Sequence, residues 1–117
     1  MQDKFGPDLM RGSLDLMVLS VLAEAPLYGY RIGQSLRDAS CGMVDVQAGT
    51  LYPLLHRLED DKLIKSKWDK STGRSRKWYK LTPAVLRRLK QRANQWYRYA
   101  ECLKRMLSPV LEAPEPA

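Results

Sequence analysis

Four leucines form one stripe on a short segment near the middle of the chain. Their spacing of i, i+3, i+4 and i+7 places them on one face of an α-helix. The stripe consists of Leu51, Leu54, Leu55 and Leu58, and the opposite face carries Pro53, His56 and Asp60. The helix is expected to start between residues 47 and 50. Thr50 as N-cap would leave Pro53 in the first turn, where proline is tolerated, whereas a helix that begins at Gln47 would be kinked by Pro53. We expect this helix to pack through its leucines and to present its polar face to a partner.

The period of apolar positions changes to two directly after this helix. One alternating set is Ile64, Ser66 and Trp68, and the other is Lys65, Lys67 and Asp69. A turn signal at residues 71–74 leads into a return strand that ends at Leu81, which predicts a two-stranded β-hairpin. A helix followed at once by a basic hairpin is the order of a winged helix-turn-helix. The predicted fold class is therefore α+β and mostly α, with a two-stranded wing.

Two helices are predicted before the leucine-striped helix. The first covers residues 9–24 and stops before Pro26. The second follows residues 27–30 and ends near residues 40–42, although Gly29 and Gly33 weaken it by about 1 kcal/mol each relative to alanine. Close approach of a neighbouring backbone would explain both glycines. Residues 43–46 are expected to form a short extended piece.

A long helix is predicted from Thr82, a suitable N-cap before Pro83, to about residue 107, ahead of Pro109. Apolar residues recur along it at alternating spacings of three and four, the heptad period of a left-handed coiled coil. This seam consists of Leu86, Leu89, Ala93, Trp96, Ala100, Leu103 and Leu107. We interpret it as a dimerisation surface, with packing against the first helix of the same chain as the alternative. The predicted organisation is a winged helix-turn-helix domain over residues 9–81, a dimerisation helix over residues 82–108 and a flexible tail over residues 109–117.

Length and composition fit one soluble domain, with 117 residues of which 44% are hydrophobic and 28% charged. The most apolar run, residues 14–23, is far shorter than the roughly 20 residues that cross a bilayer, and the N-terminus lacks the order of a signal peptide. Two cysteines without a metal or redox spacing favour a reducing, cytoplasmic setting. One histidine, and no carboxylate pair, phosphate-binding glycine loop or metal-ligand cluster, leave no predicted enzyme, metal or cofactor site.

The net charge of +7 is concentrated on the predicted hairpin. Residues 62–80 hold eight Lys or Arg and one Asp, whereas the rest of the chain holds equal numbers of bases and acids. Such a concentration is typical of a surface that binds a polyanion, because each neutralised phosphate releases counterions. A solvated strand face is the alternative for a basic run alone.

Three motifs in order and spacing resemble those of the PadR family of bacterial transcriptional regulators. They are Leu19-x-x-Leu22-x-x-x-Pro26-Leu-Tyr28-Gly29-Tyr30, then Gly49-Thr-Leu-Tyr52-Pro-x-Leu55-x-Arg57-Leu58-Glu59, then Gly73-Arg74-x-Arg76-Lys77-x-Tyr79-x-Leu81-Thr82. The resemblance covers residues 13–107. The family usually has glycine where Lys62 and Val85 stand. Lys62 therefore either adopts a left-handed conformation, at a cost of about 1 kcal/mol, or lets the helix run on.

The resemblance implies a winged helix-turn-helix homodimer that represses transcription from a palindromic operator. Similar small regulators with one C-terminal helix include multidrug sensors, in which a tryptophan of each subunit flanks a flat aromatic ligand. Trp96 lies at a comparable place on the seam. The resemblance therefore implies an effector site for a small aromatic or cationic compound at Trp96, with further lining from Met10, Leu14 and Met17. The alternatives are that two tryptophans simply fill the interface and that the methionines are plain core.

In such a dimer two recognition helices enter successive major grooves about 34 Å apart, and the wings follow the adjoining backbone. The predicted base-edge contacts are Gln47, Thr50, Tyr52 and His56. The predicted phosphate contacts are Arg57, Lys65, Lys67, Lys70, Arg74, Arg76 and Lys77. A winged-helix adaptor that binds protein without specific DNA binding is the alternative function, favoured by the three acids that end the helix, Glu59, Asp60 and Asp61.

Overall fold

A computed structural model describes residues 4–71 and 73–116, which form five helices and three strands. In chain order they are α1 (Pro7–Met10), α2 (Leu14–Glu24), β1 (Leu27–Tyr28), α3 (Gly29–Ala39), α4 (Ala48–Asp60), β2 (Ile64–Asp69), β3 (Arg76–Leu81) and α5 (Pro83–Glu112). The fold is the predicted winged helix, mostly helical, with a small antiparallel sheet and a long C-terminal helix. Among the described residues, no helix combines the length and the apolarity needed to cross a bilayer.

The leucine stripe of α4 lies in the core, as its spacing predicts. All four leucines are buried, and Leu55 and Leu58 have no exposed surface. Apolar side chains of the neighbouring elements pack in the same cluster, among them Val18 and Leu22 of α2, Ile32 and Leu36 of α3, Ile64 of β2, Tyr79 of β3, and Val85 and Leu89 of α5. Burial of one face fixes the orientation of α4, so its polar face points outward.

The predicted hairpin is present, and a third strand that the sequence pattern did not predict extends it. Strands β2 and β3 pair antiparallel from Ile64 opposite Leu81 to Asp69 opposite Arg76. The two residues of β1 pair with β3, which gives the sheet order β1-β3-β2. The ring of Tyr28 in β1 meets Trp78 of β3 edge to face, with 5.1 Å between centroids. Strand β1 therefore ties the wing to the start of α3.

The predicted first helix is corrected, and the start of α4 falls within its predicted range. The predicted helix over residues 9–24 is two helices, because Gly12 has φ of +88° and the Ser13 hydroxyl donates to the Met10 carbonyl at 3.0 Å, which makes a turn. Helix α4 begins at Ala48, so Pro53 lies beyond its first turn. This proline deprives the carbonyl of Gly49 of its usual donor, and Gly49 is exposed to water that can replace it. Residues 43–46 belong to no helix or strand, and the short extended piece expected there stays a prediction.

Helix α5 runs past Pro109 to Glu112, farther than the predicted end near residue 107. Pro109 removes one backbone donor on an exposed helix. The helical hydrogen bonding resumes after it, since the Ala113 N–H donates to the Pro109 carbonyl at 3.1 Å. At the other end, the Thr82 hydroxyl accepts from the Val85 N–H at 3.3 Å. Val85 is buried there, so an apolar side chain fits the position where the family usually has glycine.

Lys62 takes the left-handed conformation, with φ of +62°. Its N–H donates to the Glu59 carbonyl, and the N–H of Leu63 donates to the Leu58 carbonyl, both at 2.9 Å. These two bonds form the Schellman pattern that closes a helix. The first of the two alternatives for Lys62 is therefore confirmed, and α4 does not run on into the wing.

Replacing Lys62 with glycine is expected to stabilise the fold by about 1 kcal/mol, because glycine adopts a positive φ without a clash of Cβ. The measurement is urea unfolding at neutral pH. Lys65→Gly is the matched control, since Lys65 is an exposed lysine within β2, where glycine weakens a strand. A Lys62→Gly variant that unfolds at lower urea than the parent protein would contradict this reading of the helix end.

Candidate nucleic-acid interface

The outward face of α4 and its N-cap carry the four side chains predicted to contact bases. Gln47, Thr50, Tyr52 and His56 are all exposed. Gln47 is the N-cap residue, so it lies at the tip of the helix, and the other three follow along its first three turns. Exposed amide, hydroxyl and imidazole groups can pair with the donors and acceptors of base edges.

The ring of Tyr52 packs against Gly29 of the neighbouring helix, α3, where the absence of a Cβ atom leaves room for it. A Cβ atom at residue 29 would lie 2.6 Å from a ring carbon of Tyr52 and 2.7 Å from its hydroxyl oxygen. At Gly33 a Cβ atom would meet Leu51 at 3.7 Å, an ordinary contact. The expectation that a neighbouring backbone explains both glycines is therefore wrong. A side chain explains Gly29, and no contact of the described residues requires glycine at Gly33.

Four of the predicted phosphate contacts are free cations on or beside the wing. Lys65, Lys67, Lys70 and Arg74 are exposed, and none of them forms a salt bridge within residues 4–71 and 73–116. The turn that carries Arg74 contains Gly73, whose φ of +77° favours glycine. Free positive charge along β2 and at the turn of the hairpin is available to a polyanion.

Arg57 forms a salt bridge within the chain, although it was predicted to contact phosphate. Its two terminal nitrogens donate to the two carboxylate oxygens of Asp15 at 3.1 and 2.9 Å. This hydrogen-bonded pair raises the pKa of Arg57. The pair joins α4 to α2, so Arg57 links α4 to the body of the domain.

Lys77 also forms a salt bridge within the chain, with Glu59 at the end of α4. Its Nζ donates to Glu59 Oε1 at 3.1 Å, and the Ser66 hydroxyl donates to Glu59 Oε2. The bond from Ser66 and then the bond from Lys77 hold the pKa of Glu59 below its ordinary value. The Glu59 carboxylate of α4 is therefore hydrogen-bonded to both strands of the wing, β2 and β3. Arg76, beside Lys77, lies 4.6 Å from the ring centroid of Tyr28.

Sequence reasoning missed the roles of Asp15 and Glu59. Asp15 lies 42 residues from its arginine and Glu59 lies 18 residues from its lysine, so no local pattern joins the partners. The acidic end of α4 should also repel phosphate less strongly than its three acidic residues suggest. Glu59 is matched by Lys77 and Ser66, which leaves Asp60 and Asp61 as the exposed acids beside the wing.

The predicted effector residues do not lie together. Met10 belongs to the buried core and Leu14 packs against it. Met17 and Trp96 line one apolar groove of about 650 Å³ between α2 and α5. Further lining comes from Leu16, Leu86, Leu89, Ala93 and Ala100. The structure therefore brings Met17 to Trp96 and places Met10 and Leu14 elsewhere.

The heptad seam divides into two parts. Leu89 is buried in the core of its own chain and Leu86 packs against that core, so this end of the seam packs within the chain. Leu103 and Leu107 are 42% and 47% exposed. The far end of α5 therefore retains an uncovered apolar stripe.

Comparisons with known proteins agree with this geometry. Residues 18–91 match the transcriptional regulator PadR-like family. A transcriptional regulator of Mycobacterium tuberculosis is 38% identical over 77 residues, which cover 66% of this chain and 69% of that protein. An uncharacterised protein of Lysinibacillus sphaericus is 30% identical over 97 residues, 82% of this chain and 89% of that protein.

Two solved structures share the fold over most of its length. A PadR family transcriptional regulator from Eggerthella lenta has a TM-score of 0.74 and 39% identity, over 86% of this chain and 87% of that chain. A transcriptional regulator from Clostridium thermocellum has a TM-score of 0.78 and 30% identity, over 86% and 99% of the two chains. With its winged helix and with more than half of its residues matched, the chain belongs to the PadR-like family of transcriptional regulators.

Proposed function

We propose that this regulator binds a palindromic operator as a homodimer and represses transcription from it. The observation that carries the proposal is the position of the exposed face of α4 beside the free cations of the wing. The winged-helix arrangement offers one helix to a major groove and one hairpin to the adjoining backbone. Membership of the family supports transcriptional regulation, and the exposed groups support DNA as the partner.

In this proposal α4 provides sequence selectivity and the wing provides affinity for the DNA backbone. Gln47, Thr50, Tyr52 and His56 read base edges, since their amide, hydroxyl and imidazole groups are exposed. The free wing cations Lys65, Lys67, Lys70 and Arg74 supply affinity for phosphates of any sequence. Arg57 and Lys77 already have carboxylate partners in the chain. We therefore assign them mainly to holding α4 and the wing at a fixed angle.

The far end of α5 is the proposed dimer contact. Beyond Ala100 this helix exposes apolar side chains that no described element covers: Leu103, Met106, Leu107, Val110 and Leu111. The groove between α2 and α5 is apolar and lies on the same helix. A two-fold pairing of two chains would place the stripe of each on the groove of the other. Such an isologous contact also sets the spacing of the two recognition helices.

Control by a small aromatic or cationic effector is a further part of the proposal. Trp96 is half-buried in the α2–α5 groove, and its ring meets Tyr99 edge to face at 5.6 Å between centroids. A flat compound between the Trp96 rings of two protomers would change the angle between them and shift the population away from the DNA-binding state. Dye binding followed by fluorescence anisotropy of the dye should be lost in Trp96→Ala. Unchanged dye affinity in that variant would remove the effector site.

The DNA-binding proposal is tested by selecting fragments of the source genome on the purified protein at moderate salt. Sequencing of the retained fragments should return a common palindrome, and a reporter gene behind that palindrome should be expressed less when the regulator is present. Retention of no fragment above background would contradict the proposal. That outcome would favour the adaptor function, for which Asp60 and Asp61 are the available exposed acids beside the wing.

A further inference from the structure

A cleft of about 520 Å³ separates α4 from the hairpin. Its walls come from β1 and the start of α3, from α4, and from both strands of the wing. The residues used below are Tyr30, Tyr52, His56, Trp68, Arg76 and Lys77. None of these six belongs to the buried core cluster, so each can reach a partner, whereas Tyr79, which also lines the cleft, is buried.

Three large aromatic side chains from three different elements are exposed at this cleft. Tyr30 of α3 is 63% exposed, Tyr52 of α4 is 44% exposed and Trp68 of β2 is 59% exposed. Single exposed aromatics are ordinary, but three that converge on one cleft form a surface with an apolar body and polar tips. Such a surface suits a ligand that is itself partly apolar and partly polar.

The charge of the cleft favours an anion. Arg76 and Lys77 line it together with His56, and no Asp or Glu is among its described lining residues. Glu59 matches the charge of Lys77 from outside that lining. The Arg76 guanidinium is held over the ring of Tyr28 at 4.6 Å. This stacking leaves the charge of Arg76 in place and restricts the side chain, so an anion in the cleft meets a preorganised cation.

We infer that the cleft holds one sugar–phosphate strand of duplex DNA, with Trp68 against deoxyribose and with Tyr30 and Arg76 toward phosphate oxygens. The inference rests on the proposed DNA binding. When α4 enters a major groove and the wing follows the adjoining backbone, one strand separates the two elements. That strand passes between α4 and the hairpin, where the cleft lies. Trp68 and Tyr30 are thereby added to the DNA contacts that the sequence pattern predicts.

This assignment gives Trp68 a role that differs from that of the base-reading residues. Deoxyribose and phosphate are the same at every base pair, so a contact to them adds affinity without sequence information. Loss of Trp68 should weaken binding to the operator and to unrelated duplex by the same factor. Loss of Gln47 should instead lower the ratio between the two affinities.

The test compares Trp68→Ala with the parent protein in anisotropy titrations of operator duplex and of a scrambled duplex. We expect both affinities to fall by about tenfold, the change that about 1.4 kcal/mol represents. Phe5→Leu is the control, because Phe5 is an exposed aromatic, 44% exposed, outside the cleft. Thermal unfolding of both variants checks that the fold is intact.

A second measurement needs no variant. Trp68 is the most exposed of the three tryptophans, since Trp78 and Trp96 are half-buried. Acrylamide quenching of the parent protein should therefore fall when operator duplex is bound.

If the parent protein binds no duplex, the proposed function fails first. If it binds duplex while Trp68→Ala keeps full affinity and quenching is unchanged by DNA, the cleft assignment alone fails. A loss confined to the operator would also overturn it, because Trp68 would then contact a base.

Discussion

Replacing Leu107 and Val110 together with glutamate is expected to leave a folded monomer that has lost operator affinity by more than about a hundredfold. These side chains are 47% and 66% exposed in the protomer, so the core of the domain does not depend on them. In a dimer they would be covered by the second chain, where two buried carboxylates are strongly unfavourable. A monomer binds one half-site only and loses the gain of about 10²–10⁴ that linked sites provide.

Light scattering gives the mass and an anisotropy titration gives the affinity. The matched control is Gln91→Glu with Asn94→Glu, which adds the same charge at exposed positions of α5 outside the heptad seam. This control should remain dimeric and should bind nearly as well as the parent protein. A Leu107→Glu, Val110→Glu protein that is still a dimer would show that the stripe at the end of α5 is not the dimer contact.

Removing the carboxylate of Glu59 is expected to destabilise the domain by about 2 kcal/mol, the size typical of hydrogen bonds to a charged group. Glu59→Ala leaves Lys77 and Ser66 without their partner, and the Lys77 side chain is only 24% exposed. The loss should be smaller when Lys77→Met is combined with Glu59→Ala, because the unmatched charge is then absent. Urea unfolding at pH 7 measures all three variants.

Asp60→Ala is the control for Glu59→Ala, since Asp60 is the adjacent acid and is exposed. It should change the free energy of unfolding by no more than about 0.5 kcal/mol, as surface substitutions usually do. Equal losses in Asp60→Ala and Glu59→Ala would mean that the contact between Glu59 and the wing does not hold the two elements together.

The same contact predicts how stability changes with acid. The pKa of Glu59 is held below its ordinary value of 4.5, first by the Ser66 bond and then by Lys77. Its contribution is therefore complete above about pH 4.5 and is lost as the pH falls through the lower folded value. The pKa of Lys77 is raised above 10.5 by the bond to Glu59, so its contribution is lost only as the pH rises above that value. The junction should be stable across the neutral range.

Much of the fold follows from local patterns. The leucine stripe of α4 and the alternation after Ile64 predicted a packed helix and a hairpin, because side-chain burial on one face dictates both periods. Thr82 and Pro83 predicted the start of α5 for the same local reason. Strand β1 was not predictable in this way, since two residues become a strand only by pairing with Tyr79 and Trp78, about fifty positions later along the chain.

The candidate site was predictable in its residue types and less so in their roles. The basic character of the hairpin and the polar face of α4 are visible in the sequence. The pairing of Arg57 with Asp15 and of Lys77 with Glu59 depends on how α2, α4 and the wing pack, and charge counting treats all cations alike. The count therefore overstated the free cations, because two of the seven predicted phosphate contacts are matched within the chain.

The salt dependence of operator binding tests the central claim most directly. Five wing cations in each protomer have no carboxylate partner among the described residues, Lys65, Lys67, Lys70, Arg74 and Arg76, which gives ten in a dimer. With a slope of about −0.9 per neutralised phosphate, log K against log salt should be linear with a slope of about −9, and the scrambled duplex should bind more weakly at every salt concentration. Affinity that is independent of salt, or equal affinity for the two duplexes, would contradict a dimer that binds its operator through α4 and the wing.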